Sequence, residues 1–564
     1  MRLKIAVPLV LAGLLLAAWG VAQTTFWAPA QTMAASTATD VQKAPVVVVD
    51  ADIRPDDLEK IDVTVQGEGD FVVAIGRADD VEAWVGKAAH VRLTGVTEDK
   101  IESSYSEGEK SVPDPRGSDL WVSEDTASGE TVLSWVDPAP GEWSLLIAAD
   151  GKAPAPTSVS ISWPNDETTP FAVPLIVVGA LLSVLGIALA FTSKRGGGRR
   201  ATASAPRSAR RAGRSGATAY RSGGQNAMVV PALRTSLTAA VLLGLVATGT
   251  PAATASTAGS EEGAPAKIET TPALLESQLV RILESVATAV EQADAARDPE
   301  MLEARVDGAA QQLRSANYQV RAKAPDEEPP VAVAAEPLLT QMITTEQDWP
   351  RTVVAVTQGE ANEVPQALVL TQAEARSNYQ LVSAMQMLPG TTFPKVPAGG
   401  TGVAPQAKES GEGLKASPVA ALETLADTLT ASKLKTDDGI AENTFVDDVI
   451  ESQTATVKSA ESKFADIKFT HTVVPERTHA LRTGDGGAIV FGYLNNTYAS
   501  SPKGPGDTLK PKGVVEQLLG KKETEKRIDV QYGQAVMMYI PPKDSGSAIQ
   551  VIGAAQALLS AKLK

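Results

Sequence analysis

The chain has 564 residues, enough for roughly three to four domains of ordinary size, and it carries a formal net charge of −16. It contains no cysteine, which excludes disulfides, thiolate nucleophiles, cysteine-ligated metals and a cysteine-based lipoprotein anchor. Residues 194–234 hold ten Lys or Arg and no acidic residue, so the remainder holds 41 basic and 67 acidic residues, a net charge of −26. This acidity disfavours nucleic-acid binding, which requires a basic face.

The N-terminal segment, residues 1–23, is basic at Arg2 and Lys4 and apolar from Ile5 to Val21. This pattern is typical of a cleaved signal peptide or of a signal anchor that stays in the membrane as a first helix. No Ala-x-Ala sequence stands at the end of the apolar run, so the sequence favours the anchor. Both alternatives send the next segment out of the cytoplasm.

Short runs of β-branched and aromatic residues, separated by Gly, Asp and Pro, fill residues 46–164. They predict a small all-β, antiparallel sandwich, with one or two helical turns at 77–90. We interpret four tryptophans as core residues rather than as a sugar-stacking platform, because large aromatic side chains dominate cores. They are Trp84, Trp121, Trp135 and Trp143.

Residues 171–191 contain no charged side chain, and their number matches the thickness of the hydrocarbon core of a membrane. Lys194 and Arg195 follow at once, so the positive-inside rule makes this end of the predicted second helix cytoplasmic. The Gly-, Ser- and Arg-rich segment 194–234 is predicted to be a disordered cytoplasmic loop. We interpret its arginines as topology signals rather than as ligands of nucleic acid or anionic lipid.

A further apolar segment, residues 235–255, ends in the sequence Ala253-Thr254-Ala255. This pattern indicates a third membrane helix or an internal signal sequence that is cut near Ser256. Both alternatives place the C-terminal half of the chain outside the cytoplasm.

The C-terminal half repeats one order of elements, in which amphipathic helices precede β-rich runs. This order predicts two α+β units, residues 271–388 and 417–564, which are either packed together or joined by a loose Pro- and Gly-rich linker at 389–416. Each unit is predicted to have one bent sheet with helices on one face. The concave side would then be a docking surface.

Three stretches carry a resemblance to a known family: FVVAIGRADDVEAWVGKAAHVRLTGV (71–96), DLWVSEDTASGETVLSWVDPAPGEWSLLIAADG (119–151) and PLIVVGALLSVLGIAL (174–189). They are similar to an uncharacterised family of actinobacterial membrane proteins with an extracytoplasmic β domain between two membrane helices. That family supplies no catalytic residues to carry over. The helix-then-strand order of residues 271–564 resembles the twin units of actinobacterial proteins often labelled glycosyltransferases. It is also similar to nuclear-transport-factor-like and cystatin-like folds.

Sequence patterns of known chemistry are few. The chain has no Walker-type phosphate loop, no His-Glu-x-x-His and no Gly-x-Ser-x-Gly. Asp50-Ala51-Asp52 has the Asp-x-Asp spacing that a glycosyltransferase uses for a metal, but we interpret it as a solvated turn. His471 and His479, with Glu476 between them, could meet across a sheet; a metal site needs more ligands, so two independent histidines are favoured. Gly484–Gly487 is predicted to be a hairpin turn.

Four tyrosines are pocket candidates if the C-terminal fold resembles the nuclear-transport-factor-like group, and they are otherwise sheet-packing residues. They are Tyr493, Tyr498, Tyr532 and Tyr539. No catalytic residue, metal ligand or cofactor-binding residue is assigned, and no cofactor is expected. We expect an integral cell-membrane protein with both large domains extracytoplasmic, which binds or scaffolds other envelope proteins or cell-wall components without catalysis. The alternative is a cell-envelope enzyme acting on glycan or lipid.

Overall fold

The computed structural model describes residues 3–54, 58, 60–97, 99–165, 169–192, 271–345, 348–397, 402–434 and 439–564. The predicted basic loop at 194–234 and the predicted third apolar segment at 235–255 lie outside the described residues. The chain divides into two compact units, one with two long apolar helices and one with the β domain and the C-terminal half together.

The described residues hold eight α-helices and seventeen β-strands. The helices are α1 (Leu3–Thr25), α2 (Ala78–Val85), α3 (Ala172–Thr192), α4 (Glu276–Ala296), α5 (Gly308–Lys323), α6 (Pro418–Thr430), α7 (Thr444–Lys458) and α8 (Val514–Leu519). The strands before α3 are β1 (Thr32–Ser36), β2 (Val46–Val49), β3 (Lys60–Arg77), β4 (His90–Thr97), β5 (Lys100–Ser106), β6 (Ser123–Val136), β7 (Trp143–Ala148) and β8 (Ser158–Pro164). The strands after α4 are β9 (Leu338–Ile343), β10 (Arg351–Thr357), β11 (Gln366–Gln372), β12 (Gln380–Met387), β13 (Ala465–Val473), β14 (His479–Arg482), β15 (Ala488–Pro502), β16 (Ile528–Ile540) and β17 (Gln550–Leu563).

The helices α1 and α3 are each long and apolar enough to cross a membrane. They lie side by side, and glycines form the contact. A Cβ atom on Gly13 would overlap the Ser183 Oγ atom, and one on Gly179 would lie 2.5 Å from the backbone nitrogen of Ala17. Small residues allow two helix backbones to approach this closely where no hydrophobic effect drives them together.

This helix contact predicts a specific packing defect. A Leu side chain at Gly13 would overlap Ser183 and the backbone of Gly179, so the variant Gly13→Leu should separate the two helices and lower the melting temperature of the full chain in detergent micelles. The matched control is Leu181→Phe, because Leu181 is 64% exposed and lies on another side of α3, so this variant should melt near the wild-type temperature. Equal melting temperatures of the two variants would contradict the helix pairing.

The N-terminal region is β-rich, as the sequence predicts, but its strands close into a barrel rather than forming two stacked sheets. The barrel order is β3-β7-β2-β4-β5-β1-β8, with β8 returning to β3 and β6 attached to β3. The strand β3 makes the closure, because its first part pairs with β8 (Asp62↔Ser162) and its second part pairs with β7 (Val72↔Ala148). Gly69, with φ of 79°, lies at the register shift between these parts, where the sequence pattern indicates a turn.

The C-terminal strands form one continuous sheet in an α+β domain. Its order is β13-β15-β16-β17-β12-β11-β10-β9, with β14 beside β15. Two helices precede the strands in each half, as the sequence predicts, although the short helix α8 interrupts the strands of the second half. The halves join where β12 pairs with β17, at Gln386↔Ala554 and Met387↔Gly553. The predicted units at 271–388 and 417–564 therefore share a single sheet.

The predicted linker at 389–416 is hydrogen-bonded into the fold rather than loose. The backbone N–H of Val403 donates to the Ile343 carbonyl (2.7 Å), and the N–H of Gln406 donates to the Ala480 carbonyl (2.8 Å). Ile343 belongs to β9 and Ala480 to β14, at opposite ends of the strand order. The segment therefore bridges the two edges of the sheet and satisfies backbone groups that edge strands leave unpaired.

Both faces of this sheet are buried along its middle, so the predicted open concave side is absent there. Alternate side chains of a strand point to opposite faces. In β15, Val490 and Leu494 enter a cluster with helix α6, whereas Ile489 and Phe491 enter a second cluster that also contains Val403. The bridging segment thus contributes to the filling of the face where we expected a docking surface.

A buried ion pair joins the barrel to the C-terminal domain. The Asp80 Oδ1 atom of α2 lies 2.6 Å from the Arg351 Nη2 atom of β10, and the two side chains are 1% and 0% exposed. Burial raises the pKa of Asp80, and the Arg351 guanidinium opposes that rise. The same guanidinium lies 4.0 Å from the ring centroid of Trp349.

Asp119 is the centre of a second contact between the same two parts. Its Oδ2 atom accepts from Arg305 Nη1 (2.6 Å) and from the backbone N–H of Tyr379 (2.7 Å). Its own N–H donates to Asn378 Oδ1 (3.0 Å). Nearby, Arg376 donates to the Trp84 carbonyl (2.7 Å). Side chains of the C-terminal domain therefore satisfy loop and helix-end groups of the barrel.

Breaking the buried pair should destabilise the protein strongly. The substitution Arg351→Met leaves the Asp80 carboxylate buried without its partner, so we expect a loss of about 3–5 kcal/mol in the free energy of unfolding. Replacing both residues, in Asp80→Leu/Arg351→Met, should restore most of that loss.

Denaturant unfolding of the full chain measures both effects. The matched control is Arg116→Met, which removes an ion pair with Asp114 of 2.9 Å whose side chains are 29% and 48% exposed. That change should lose less than about 1 kcal/mol. Similar losses for Arg351→Met and Arg116→Met would contradict the buried interface.

Candidate functional site

The four tryptophans of the barrel are core residues, as the sequence predicts. Trp84, Trp121, Trp135 and Trp143 are at most 2% exposed. Trp84 and Trp121 lie with ring centroids 5.8 Å apart, in a cluster that also contains Ala375 of the C-terminal domain. Rings buried in this way offer no platform for a sugar.

The Asp-x-Asp sequence has no metal-site geometry. Both carboxylate oxygens of Asp50 accept from Arg92 Nη1, at 3.0 and 3.2 Å, and Asp52 lies in a short 3₁₀ turn. Burial raises the pKa of Asp50, and Arg92 opposes that rise. Across the described ranges, no group of three or more His, Cys, Asp or Glu is placed to hold a metal ion.

The two histidines do not meet. His471 pairs with Asn496 and His479 pairs with Phe491, so both lie beside β15. These partners are five residues apart, which puts the histidines on opposite faces of the sheet and separates them by about 16 Å along the strand. His471 and His479 therefore cannot bind one metal ion together, with Glu476 as a third ligand.

His471 should make stability depend on pH. It is 6% exposed, and burial lowers the pKa of its imidazole from 6.5 to about 4. Between these values the unfolded chain binds a proton that the folded chain does not, so the free energy of unfolding falls as the pH falls. The loss attributable to His471 is at most about 3 kcal/mol.

The variant His471→Leu should flatten this part of the stability curve between pH 6.5 and 4. Melting temperatures of the full chain across that range provide the measurement. The control Thr472→Leu changes an exposed neighbour and removes no titrating group, so it should keep the wild-type slope. A His471→Leu curve as steep as the wild-type curve would show that His471 does not titrate in this way.

The four tyrosines divide between the two faces of the sheet. Tyr493 and Tyr539 lie on the face of Phe491, whereas Tyr498 and Tyr532 lie on the face of α6, because residues an even number apart share a face. Tyr539 donates to Asp485 Oδ2 (2.7 Å), and burial together with this carboxylate raises the pKa of Tyr539. Asp485 also accepts from the backbone N–H of Gly487 (3.1 Å), within the β14–β15 hairpin turn that the sequence predicts.

A cavity of about 780 Å³ is the candidate site. Strands β13, β15 and β16, the end of α7 and residues 506–515 form its walls. The apolar lining consists chiefly of Phe464, Ile467, Leu509, Val515, Ile528 and Val530. Tyr498 is the one predicted pocket candidate that lines it, and its ring stacks on Phe469 with centroids 5.3 Å apart. The cavity lies on the face that α6 covers elsewhere.

Three charged side chains belong to the described lining of this cavity. Lys510 and Lys512 are exposed at its edge. Among the described lining residues Asp507 is the single carboxylate, and its Oδ2 atom accepts from the Gly504 N–H (2.9 Å). A second acid or a histidine for proton transfer is missing from this set. No sequence motif indicates this cavity; its one local trace is the run Leu509-Lys510-Pro511-Lys512, which places two basic residues together in an acidic chain.

The sheet that carries the cavity lies, except for its last residue, Leu563, within a stretch that matches a family model. A model described as a domain of unknown function, DUF8094, matches residues 270–562, just over half of the chain. The chain belongs to the DUF8094 family. No curated protein and no solved structure matches the chain. The DUF8094 description assigns no activity, so function rests on the geometry of the DUF8094 domain and of the barrel outside it.

Proposed function

We propose that the chain is a membrane-anchored, extracytoplasmic binding protein of the cell envelope, in which the barrel and the DUF8094 domain act as one body without catalysis. The observation that carries this proposal is the buried contact between Asp80 and Arg351. The resemblance of the first 200 residues to actinobacterial envelope proteins supports the same location.

The buried contact bears on membrane topology. Two parts that bury charged side chains against each other must lie on the same side of a membrane. In the chain order, the barrel stands between the apolar helices α1 and α3. If both helices cross the membrane, the chain leaves α3 on the side opposite the barrel and must cross again before residue 271. The apolar segment 235–255 is suited to that crossing.

The position of the positive charges indicates which side of the membrane each part of the chain occupies. Ten Lys or Arg without an acidic residue occupy 194–234, directly after α3, and the positive-inside rule assigns such a segment to the cytoplasm. The barrel and the DUF8094 domain then lie outside. The glycan or lipid enzyme that the sequence leaves as an alternative would need converging carboxylates or histidines, and the described lining of the cavity has one carboxylate.

Single cysteines in the naturally cysteine-free chain test this topology. In intact cells, a membrane-impermeant maleimide should label Lys110→Cys in the barrel and Lys521→Cys in the DUF8094 domain, both of which replace exposed residues. It should label Ser215→Cys only after the cells are permeabilised. The parent chain provides the unlabelled control, and the mass of the labelled band separates a retained third helix from cleavage near Ser256. Labelling of Ser215→Cys in intact cells, or protection of Lys521→Cys, would refute the proposal.

A further inference from the structure

The cavity in the DUF8094 domain combines an apolar interior with a basic edge. Its floor belongs to a hydrophobic cluster in which Leu509, Ile528 and Val530 are at most 6% exposed. Phe464, which also lines the cavity, is 53% exposed. An apolar surface that is open to solvent at one side and buried at the other has the form of a ligand pocket, and its volume falls in the usual range of roughly 300–1,000 Å³.

The charge around the cavity is opposite in sign to that of the chain as a whole. Its described lining holds two Lys and one Asp, a net charge of +1, whereas the complete chain has a net charge of −16. Lys510 and Lys512 flank Pro511 at the cavity, and the fixed φ of proline restricts the backbone between them. Two ammonium groups beside an apolar cavity are complementary to a ligand with an acidic head and an apolar tail.

We propose that this cavity binds a single-chain anionic amphiphile of the fatty-acid type, with its acyl chain against Ile467, Val515 and Val530 and its head group at Lys510 and Lys512. The assignment rests on the proposed binding function and names its ligand class. A cavity of about 780 Å³ has the size for one drug-sized ligand, whereas a phospholipid with two chains is larger.

Photocrosslinking with palmitic acid that carries a diazirine on its chain tests the proposal. The full chain is held in phosphatidylcholine nanodiscs, and labelled peptides are located by mass spectrometry. We expect saturable labelling of peptides that contain Phe464, Ile467 or Val515. The methyl ester of the same probe, which lacks the negative charge, should require about tenfold more ligand for half-saturation. Unlabelled palmitate should compete better than phosphatidylglycerol.

Charge-reversed variants distinguish a direct contact of the head group with the lysines at the cavity edge from a general electrostatic attraction to the domain. Lys510→Glu/Lys512→Glu should raise the half-saturating concentration about tenfold. The matched control, Lys521→Glu/Lys522→Glu, makes the same charge change at exposed lysines that do not line the cavity, and it should shift that concentration by less than about twofold. A third variant, Val515→Trp, should fill the cavity and reduce labelling while the melting temperature stays near that of the wild type.

The outcomes divide cleanly. Equal weakening by the two double-lysine variants, equal binding of the methyl ester, labelling outside the cavity, or preferred competition by phosphatidylglycerol would each overturn the amphiphile proposal. Full labelling of a folded Val515→Trp variant would overturn it as well. None of these results changes the cysteine-labelling pattern, so failure here is distinguishable from failure of the extracytoplasmic assignment.

Discussion

The fold depends on one ion pair that is removed from water. Asp80 and Arg351 are separated by 271 positions in the sequence, yet each is the buried partner of the other. Burying a single charge is strongly unfavourable, whereas a buried charge is tolerated when an opposite charge lies beside it. Arg77, which lies close to both, is itself buried, and this burial lowers its pKa. If the barrel and the DUF8094 domain separated, each charge would lose its partner. The ion pair therefore holds the barrel in one position against the DUF8094 domain.

Elements with a strong local pattern could be predicted from the sequence. The uncharged run at 171–191 becomes α3, and the apolar stripe of Leu279, Ile282, Val286 and Val290 becomes the buried face of α4. Such patterns depend on neighbours one to four positions away. The closure of the barrel depends instead on Asp62↔Ser162, and the union of the two halves on Gln386↔Ala554. No local periodicity encodes pairings of that range, which is why two units and a sandwich were expected.

The structure of the segment 389–416 also could not be predicted from its local sequence. Its Pro and Gly content predicts a loose connection, and the described residues 389–397 and 402–416 contain no strand. Its order comes from partners on β9 and β14 that become neighbours only when the sheet bends. The cavity could not be predicted for a related reason: its lining comes from residues 456–530, which belong to two helices, three strands and the loops between them. The histidines were recognised by type, but their placement on opposite faces follows from strand register alone.

The position of β17 has a consequence for the order in which the molecule is made. This last strand, Gln550–Leu563, is not at the margin of the sheet but between β16 and β12. During synthesis, the edge of β12 at Gln386 and Met387 therefore has no strand partner until residues 553 and 554 have been made. An exposed strand edge of this kind invites pairing with other chains. Without β17, both β12 and β16 would expose an open edge, so the continuity of the sheet between the two halves of the DUF8094 domain depends on the last of its strands to be synthesised.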